Sequence, residues 1–270
     1  MISPVFRGFF MTHGLKGKFI VIDGLDGIGK GVVLDAVVDD LSSKGLRVFD
    51  LHDFWKASHD HPDFHNKNFN GKINQYYKNL SDFDVLISAE PTYVGIGKAI
   101  REEIIANNGR KYSALFTAHA YSMDRLILYN RVIMPALQAG KIVVQSRSFS
   151  TSVVYQPLQS TLQGETPLSV SDILSLEGNA YALKNAPDMF IIPTIMNVNE
   201  VMKRLDGRDK DDNCQFEKID FQLKLKPFYE SSDLKNLFEK QGTVVKYLNA
   251  GISIPETKRQ AVEIYKMIMS

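Results

Sequence analysis

The chain has 270 residues, 44% of them hydrophobic, and its 32 Lys and Arg against 31 Asp and Glu leave a net charge of +1. That is enough for one α/β domain with a real core, and it provides no global field to draw in nucleic acid or a membrane surface, so neither is expected as a partner. A single cysteine, Cys214, excludes an internal disulfide and fits a reducing, cytoplasmic compartment, and no apolar run reaches the ~18 residues of a membrane span.

Residues 1–17 read as an N-terminal tail. Met1–Phe10 is apolar and aromatic but short, with one arginine and no small-residue cleavage pattern, so a signal peptide is not expected, and Met11 is a candidate start. Residues 18–270 read as a single domain in which strand and helix patterns alternate. Strands are expected at 18–23, 46–51, 84–89, 141–146, 188–193 and 243–248. Helices are expected at 30–44, 95–106, 113–139, 169–183, 198–205, 216–229, 231–240 and 256–269. Pro135 should bend the helix over 113–139 near its end, and Gly140 should stop it. This alternation predicts a three-layer α/β fold, a central parallel sheet with helices on both faces. Residues 52–80 interrupt the pattern. They hold His52, His59, His61 and His65 and the only tryptophan, Trp55. Histidines so spaced could bind zinc, but no cysteine is near and the spacing is not a standard one. A polar, partly helical surface insertion without a metal is the expectation.

The first strand runs directly into the most informative stretch, Asp23-Gly24-Leu25-Asp26-Gly27-Ile28-Gly29-Lys30. The spacing of Gly24, Gly29 and Lys30 matches a phosphate-binding P-loop up to its last position. Glycines leave backbone N–H groups bare and aimed at one point, the following helix turns its positive end to the same point, and the lysine adds a charge for the outer phosphates. The hydroxyl that would follow the lysine is missing, because that residue is Gly31. With an apolar strand before it and an apolar-periodic helix after it, the loop predicts a P-loop NTPase fold.

Four later segments carry a resemblance. They are Glu90-Pro91-Thr92-Tyr93-Val94-Gly95-Ile96-Gly97-Lys98-Ala99-Ile100-Arg101; Leu115-Phe116-Thr117-Ala118 with Asp124-Arg125, leading to Pro135-Ala136-Leu137; Ser146-Arg147-Ser148 through Tyr155-Gln156; and Arg204-Leu205, Arg208 and Phe216-Glu217-Lys218. With the P-loop, and in this order, they resemble the thymidylate kinases, a family of P-loop nucleoside monophosphate kinases, over about residues 18–229. The resemblance implies ATP-dependent phosphorylation of a nucleoside monophosphate, dTMP to dTDP, with ATP and Mg²⁺ as cofactors and a homodimer as the assembly. It implies that Gly24, Asp26, Gly27, Ile28, Gly29, Lys30 and Gly31 surround ATP. Lys30, Arg125, Arg147 and Arg208 would act in catalysis, Arg208 from a short lid at 206–215. Asp26, Glu90, Arg101, Arg125, Tyr155 and Gln156 would bind the acceptor: Asp26 its sugar, Arg101 its base, Arg125 its phosphate.

The departures from the family pattern concern charge. Ser146 stands where the family has an aspartate, Gly31 where it has a hydroxyl, Asp211-Asp212-Asn213-Cys214-Gln215 where the lid has Asp-Arg, and Pro193-Thr194 where a strand ends in Leu-Asp. No metal ligand is therefore assigned. Two alternatives stay open at this point. One is a deoxynucleoside kinase with Glu90 as the base for a sugar hydroxyl. The other is a degenerate nucleotide-binding protein with little activity.

Overall fold

The computed structural model describes residues 13–197 and 219–269. In chain order it contains β1 (Lys18–Ile22), α1 (Lys30–Ser43), β2 (Val48–Asp50), α2 (Leu51–Ser58), β3 (Asn68–Phe69), β4 (Lys72–Ile73), β5 (Val85–Ala89) and α3 (Gly95–Ala99). Next come α4 (Ala114–Leu128), α5 (Met134–Gln138), β6 (Ile142–Ser146), α6 (Phe149–Leu162), α7 (Val170–Ser175) and α8 (Glu177–Lys184). β7 (Met189–Thr194), α9 (Ile219–Tyr229), α10 (Ser232–Glu239), β8 (Val244–Asn249) and α11 (Ile254–Lys266) complete it. Six strands form one parallel sheet in the order β2-β5-β6-β1-β7-β8.

The central strands are apolar nearly throughout because both of their faces are covered. Phe19, Ile20, Val21 and Ile22 of β1 are all fully buried. One face of the sheet carries α1 and α11, which pack on each other. On the other face Phe19 meets Tyr129 edge-on, and Phe190 of β7 packs on Phe238 of α10, which stacks on Phe149 of α6. The β1–β6 register pairs Ile22 with Ser146, and the β5–β6 register pairs Ala89 with Ser146. Three neighbouring strands therefore end level, and the residues just beyond them, Asp23, Glu90 and Arg147, share one rim. Order reverses between β1 and β7, and a crevice outside the strand ends at such a reversal is where open α/β sheets bind ligands.

All six strands fall where expected. The differences lie among the helices. α6 was not expected: its stretch is rich in Ser, Thr and Val and holds Pro157, all poor helix formers, and it is helical because tertiary packing buries most of it. The helix expected over 169–183 is two, parted at Leu176, whose ψ is 133°, with Ser169 and Asp172 forming a capping box ahead of α7. The long helix over 113–139 is interrupted by a π turn at Tyr129–Ile133, one residue before Pro135 enters α5. A π turn absorbs the hydrogen bond that Pro135 cannot donate. Gly140, at φ 79°, ends the run. α4 and α8 cross closely at Gly178, where a Cβ would lie 1.8 Å from the Ser122 carbonyl oxygen. The helix expected at 198–205 lies outside the described residues.

The segment over 52–80 holds α2 and the β3–β4 hairpin. Its inner half is anchored: Trp55 and Leu51 are buried in the core, and Trp55 Nε1 donates to His61 Nδ1 at 3.3 Å. Burial, with the Arg131 charge beside it, lowers His61 to a pKa of about 4. His52 pairs with Asp50. Among the described residues no three His, Cys, Asp or Glu side chains converge on a common point.

Candidate active site

The loop after β1 leaves the sheet at Asp23, whose N–H still bonds Ile191. It enters α1 at Gly29, which has φ 107° and so takes a conformation that side chains disfavour. No side chain caps α1, so its first-turn amides keep their donors for a ligand. Gly31 is exposed, with open space where a Cβ would stand.

Two carboxylates anchor the loop, and each is saturated. Asp23 is fully buried and accepts from Gly24 N at 2.7 Å, Ser150 Oγ at 2.5 Å, Thr151 Oγ1 at 2.7 Å and Tyr229 OH at 3.2 Å. Asp26 accepts from Lys30, Arg147, Tyr155 OH at 3.0 Å and Gln222 Nε2 at 3.3 Å, while its own N–H donates to Gln222 Oε1 at 2.9 Å. Burial alone would raise Asp26, but Arg147 and Lys30 hold it well below the usual carboxylate range. Lys30 is folded back onto its own loop. Its Nζ donates to Gly24 O at 3.0 Å and Leu25 O at 2.7 Å and lies 3.4 Å from Asp26. Its side chain is only 10% exposed, where a loop lysine would be expected in solvent. Burial, and then the Arg147 charge, lower it to a pKa of about 8.

Arg147 follows β6 in the left-handed region at φ 66°, an uncommon place for a side-chain-bearing residue. Its N–H bonds Ile22 O, and its guanidinium reaches Asp26. This joins the rim of β6 to the P-loop. Tyr155 of α6 stands beside them, its OH on Asp26; Gln156, next in α6, is buried too, and its Oε1 has no partner among the described residues.

A second cluster sits at the end of β5. Glu90 and Arg125 are buried and paired at 2.6 Å. Arg125 also donates to Asn179 and, at 3.4 Å, to Ser152. Each of its three guanidinium nitrogens thus has a partner inside the fold, and the side chain is 1% exposed. Burial raises Glu90 to a pKa of about 7 against the opposing pull of Arg125. Nearby, Arg101 lies 3.8 Å over the Tyr93 ring and donates to the carbonyls of Pro91 and Thr92. Arg208 lies outside the described residues.

Sequence reasoning missed Gln145, Gln222, Tyr229 and a groove beside the loop. The groove, of about 560 Å³, opens at the ends of β7 and β8 between Thr194, Ile195, Lys226, Tyr247, Asn249 and Ile252. Gln145 had one local signal, a polar residue inside an apolar strand. The others had none, since Gln222 meets Asp26 across 196 residues of chain.

A glycine-rich loop between a central parallel strand and a helix with uncapped first-turn amides, with a lysine and a carboxylate-held arginine at its mouth, defines a P-loop phosphotransferase of the nucleotide-kinase kind. The family model described as thymidylate kinase matches residues 70–258. The chain belongs to the thymidylate kinase family. Similar proteins include a probable thymidylate kinase of Thermococcus gammatolerans, 24% identical over 91% of this chain and 94% of that protein. Another is a thymidylate kinase of Desulfotalea psychrophila, 24% identical over 94% of this chain and 96% of that one. Among solved structures the fold is similar to thymidylate kinase from Candida albicans, with a TM-score of 0.58 and 17% identity over 93% of this chain and 92% of that one.

Proposed function

We propose that this protein transfers the γ-phosphoryl group of ATP to dTMP, giving dTDP and ADP. The observation that carries the reading is the joined pair of anchors, Lys30 in the P-loop and Arg147 on the rim, both held on Asp26. Phosphoryl transfer needs positioning and charge neutralisation more than covalent help, and these residues supply both. The P-loop amides and Lys30 would hold the donor, whose base has room in the groove at Thr194 and Asn249. Arg147 would neutralise charge on the moving group. Asp26 and Tyr155 would face the acceptor sugar, Arg101 and Glu90–Arg125 its base and phosphate side, and Arg208 would close from the lid. Glu90 is tied to Arg125 and buried, which disfavours it as a base for a sugar hydroxyl. A coupled ADP-release assay over a panel of monophosphates and thymidine tests the reading. Turnover is expected with dTMP, and turnover with thymidine alone would overturn it.

Mg²⁺ is the expected companion of ATP, but the described side chains offer it little. Asp23 and Asp26 are both saturated by protein donors, and residue 31 has no side chain. The open space at Gly31 makes a repair practicable. Gly31→Thr with Ser146→Asp should lower the Mg²⁺ needed for half-maximal turnover, since hydroxyl and carboxylate oxygens suit this ion. An unchanged Mg²⁺ dependence in a variant that melts like the parent would show that ligand supply is not limiting.

A homodimer is the assembly we infer. α4 exposes Leu115, Phe116, Met123 and Ile127 along one side, an apolar stripe that a second copy can cover. Sedimentation equilibrium that finds only monomer would exclude it.

A further inference from the structure

The rim holds one residue that none of the roles above uses. Gln145 is the penultimate residue of β6, fully buried, paired with Ser88 of β5. A glutamine at such a position needs a reason, because an amide in a core is costly unless bonded. Its Nε2 donates twice, to Glu90 Oε1 at 3.0 Å and to Arg147 O at 2.9 Å. Its Oε1 has no partner among the described residues. The two donor bonds therefore set the orientation of the amide. Turned over, the carbonyl would face a carboxylate and a backbone oxygen, both acceptors.

The two partners belong to different parts of the site. Arg147 O is the carbonyl of the residue held at φ 66°, whose side chain reaches the P-loop carboxylate. Glu90 is the partner of Arg125. We propose that Gln145 is a positioning residue for phosphoryl transfer, fixing the left-handed conformation of Arg147 through one N–H and the Glu90–Arg125 pair through the other. It touches neither nucleotide and acts through the arginines. The kinetic consequence rests on the reading given under Proposed function, whereas the structural consequence does not.

Gln145→Leu keeps the bulk and removes both donors, and Gln145→Glu keeps the shape and leaves at most one, a carboxyl proton shared with Glu90. A crystal structure of Gln145→Leu should show residue 147 outside the left-handed region or its contact with Asp26 broken. Turnover should fall about tenfold or more and KM for dTMP should rise, with ATP affinity held within about twofold. In an Arg147→Gly background, where the backbone at 147 is free, the turnover effect of Gln145→Leu should shrink to about twofold while the KM effect persists. Residue 147 and its Asp26 contact unmoved in Gln145→Leu would overturn the proposal. So would a turnover loss of the same size in both backgrounds, or equal losses of ATP and dTMP affinity with a lowered melting temperature in both single variants. A parent enzyme inactive toward dTMP would count against the kinase reading, and the crystal structure would still decide the role of Gln145.

Discussion

Replacing Lys30 with alanine is expected to weaken ATP binding roughly thirty- to hundredfold, the usual result of removing one partner of a desolvated charge pair. The fold should survive. Asp26 keeps Arg147, Tyr155 and Gln222 when Lys30 is gone, so its carboxylate is not left bare. The pH dependence sharpens the test. In the free protein Lys30 has a pKa of about 8, lowered by burial and by the Arg147 charge. Phosphates favour the charged ammonium, so ATP binding above pH 8 should take up a proton and affinity should fall as pH rises through that value. Calorimetry in buffers of different ionisation enthalpy measures this uptake, which Lys30→Ala should abolish. Unchanged affinity in a folded variant would remove Lys30 from the donor site.

Arg147→Gly should move stability and activity by very different amounts. Glycine takes φ 66° without strain, and a side-chain-bearing residue held there costs about 1–3 kcal/mol. That relief opposes the loss of the bond to Asp26, so melting should shift by only a few degrees. Turnover should fall about 10³-fold, the scale on which arginines serve phosphoryl transfer. Arg147→Lys should not restore it, since a point charge cannot reproduce a planar fork of donors. A variant that keeps near-parental turnover would reduce Arg147 to a structural tie.

The strands and the P-loop were legible in the sequence for a plain physical reason. A strand covered on both faces must be apolar nearly throughout, and Phe19–Ile22, Val143–Val144 and Phe190–Ile192 are. The loop was legible because its backbone requirement selects glycine at fixed spacing. α6 was hidden because its Ser-, Thr- and Val-rich residues suit a helix only once neighbours bury them. Asp26, Arg147 and Tyr155 could be named from the family pattern, and the structure brings all three together. The tie of Asp26 to Gln222, and that of Asp23 to Tyr229, depend on chain segments about two hundred residues apart, and no local pattern reports them. Arg125 shows the opposite gap: its sequence position said functional arginine, while only the fold shows that Glu90 and Asn179 already hold it.

The level ends of β5, β6 and β1 have a consequence for how this protein fails. Glu90, Arg147 and Asp23 each stand one residue beyond a strand, so their mutual distances are set by strand registration. A slip of one residue would turn every side chain on that strand to the opposite face. The backbone positions of these three residues therefore cannot drift apart while the sheet holds, as those of a loop-borne site can. Heat is expected to separate these three rim positions only together with loss of sheet structure, in one cooperative event.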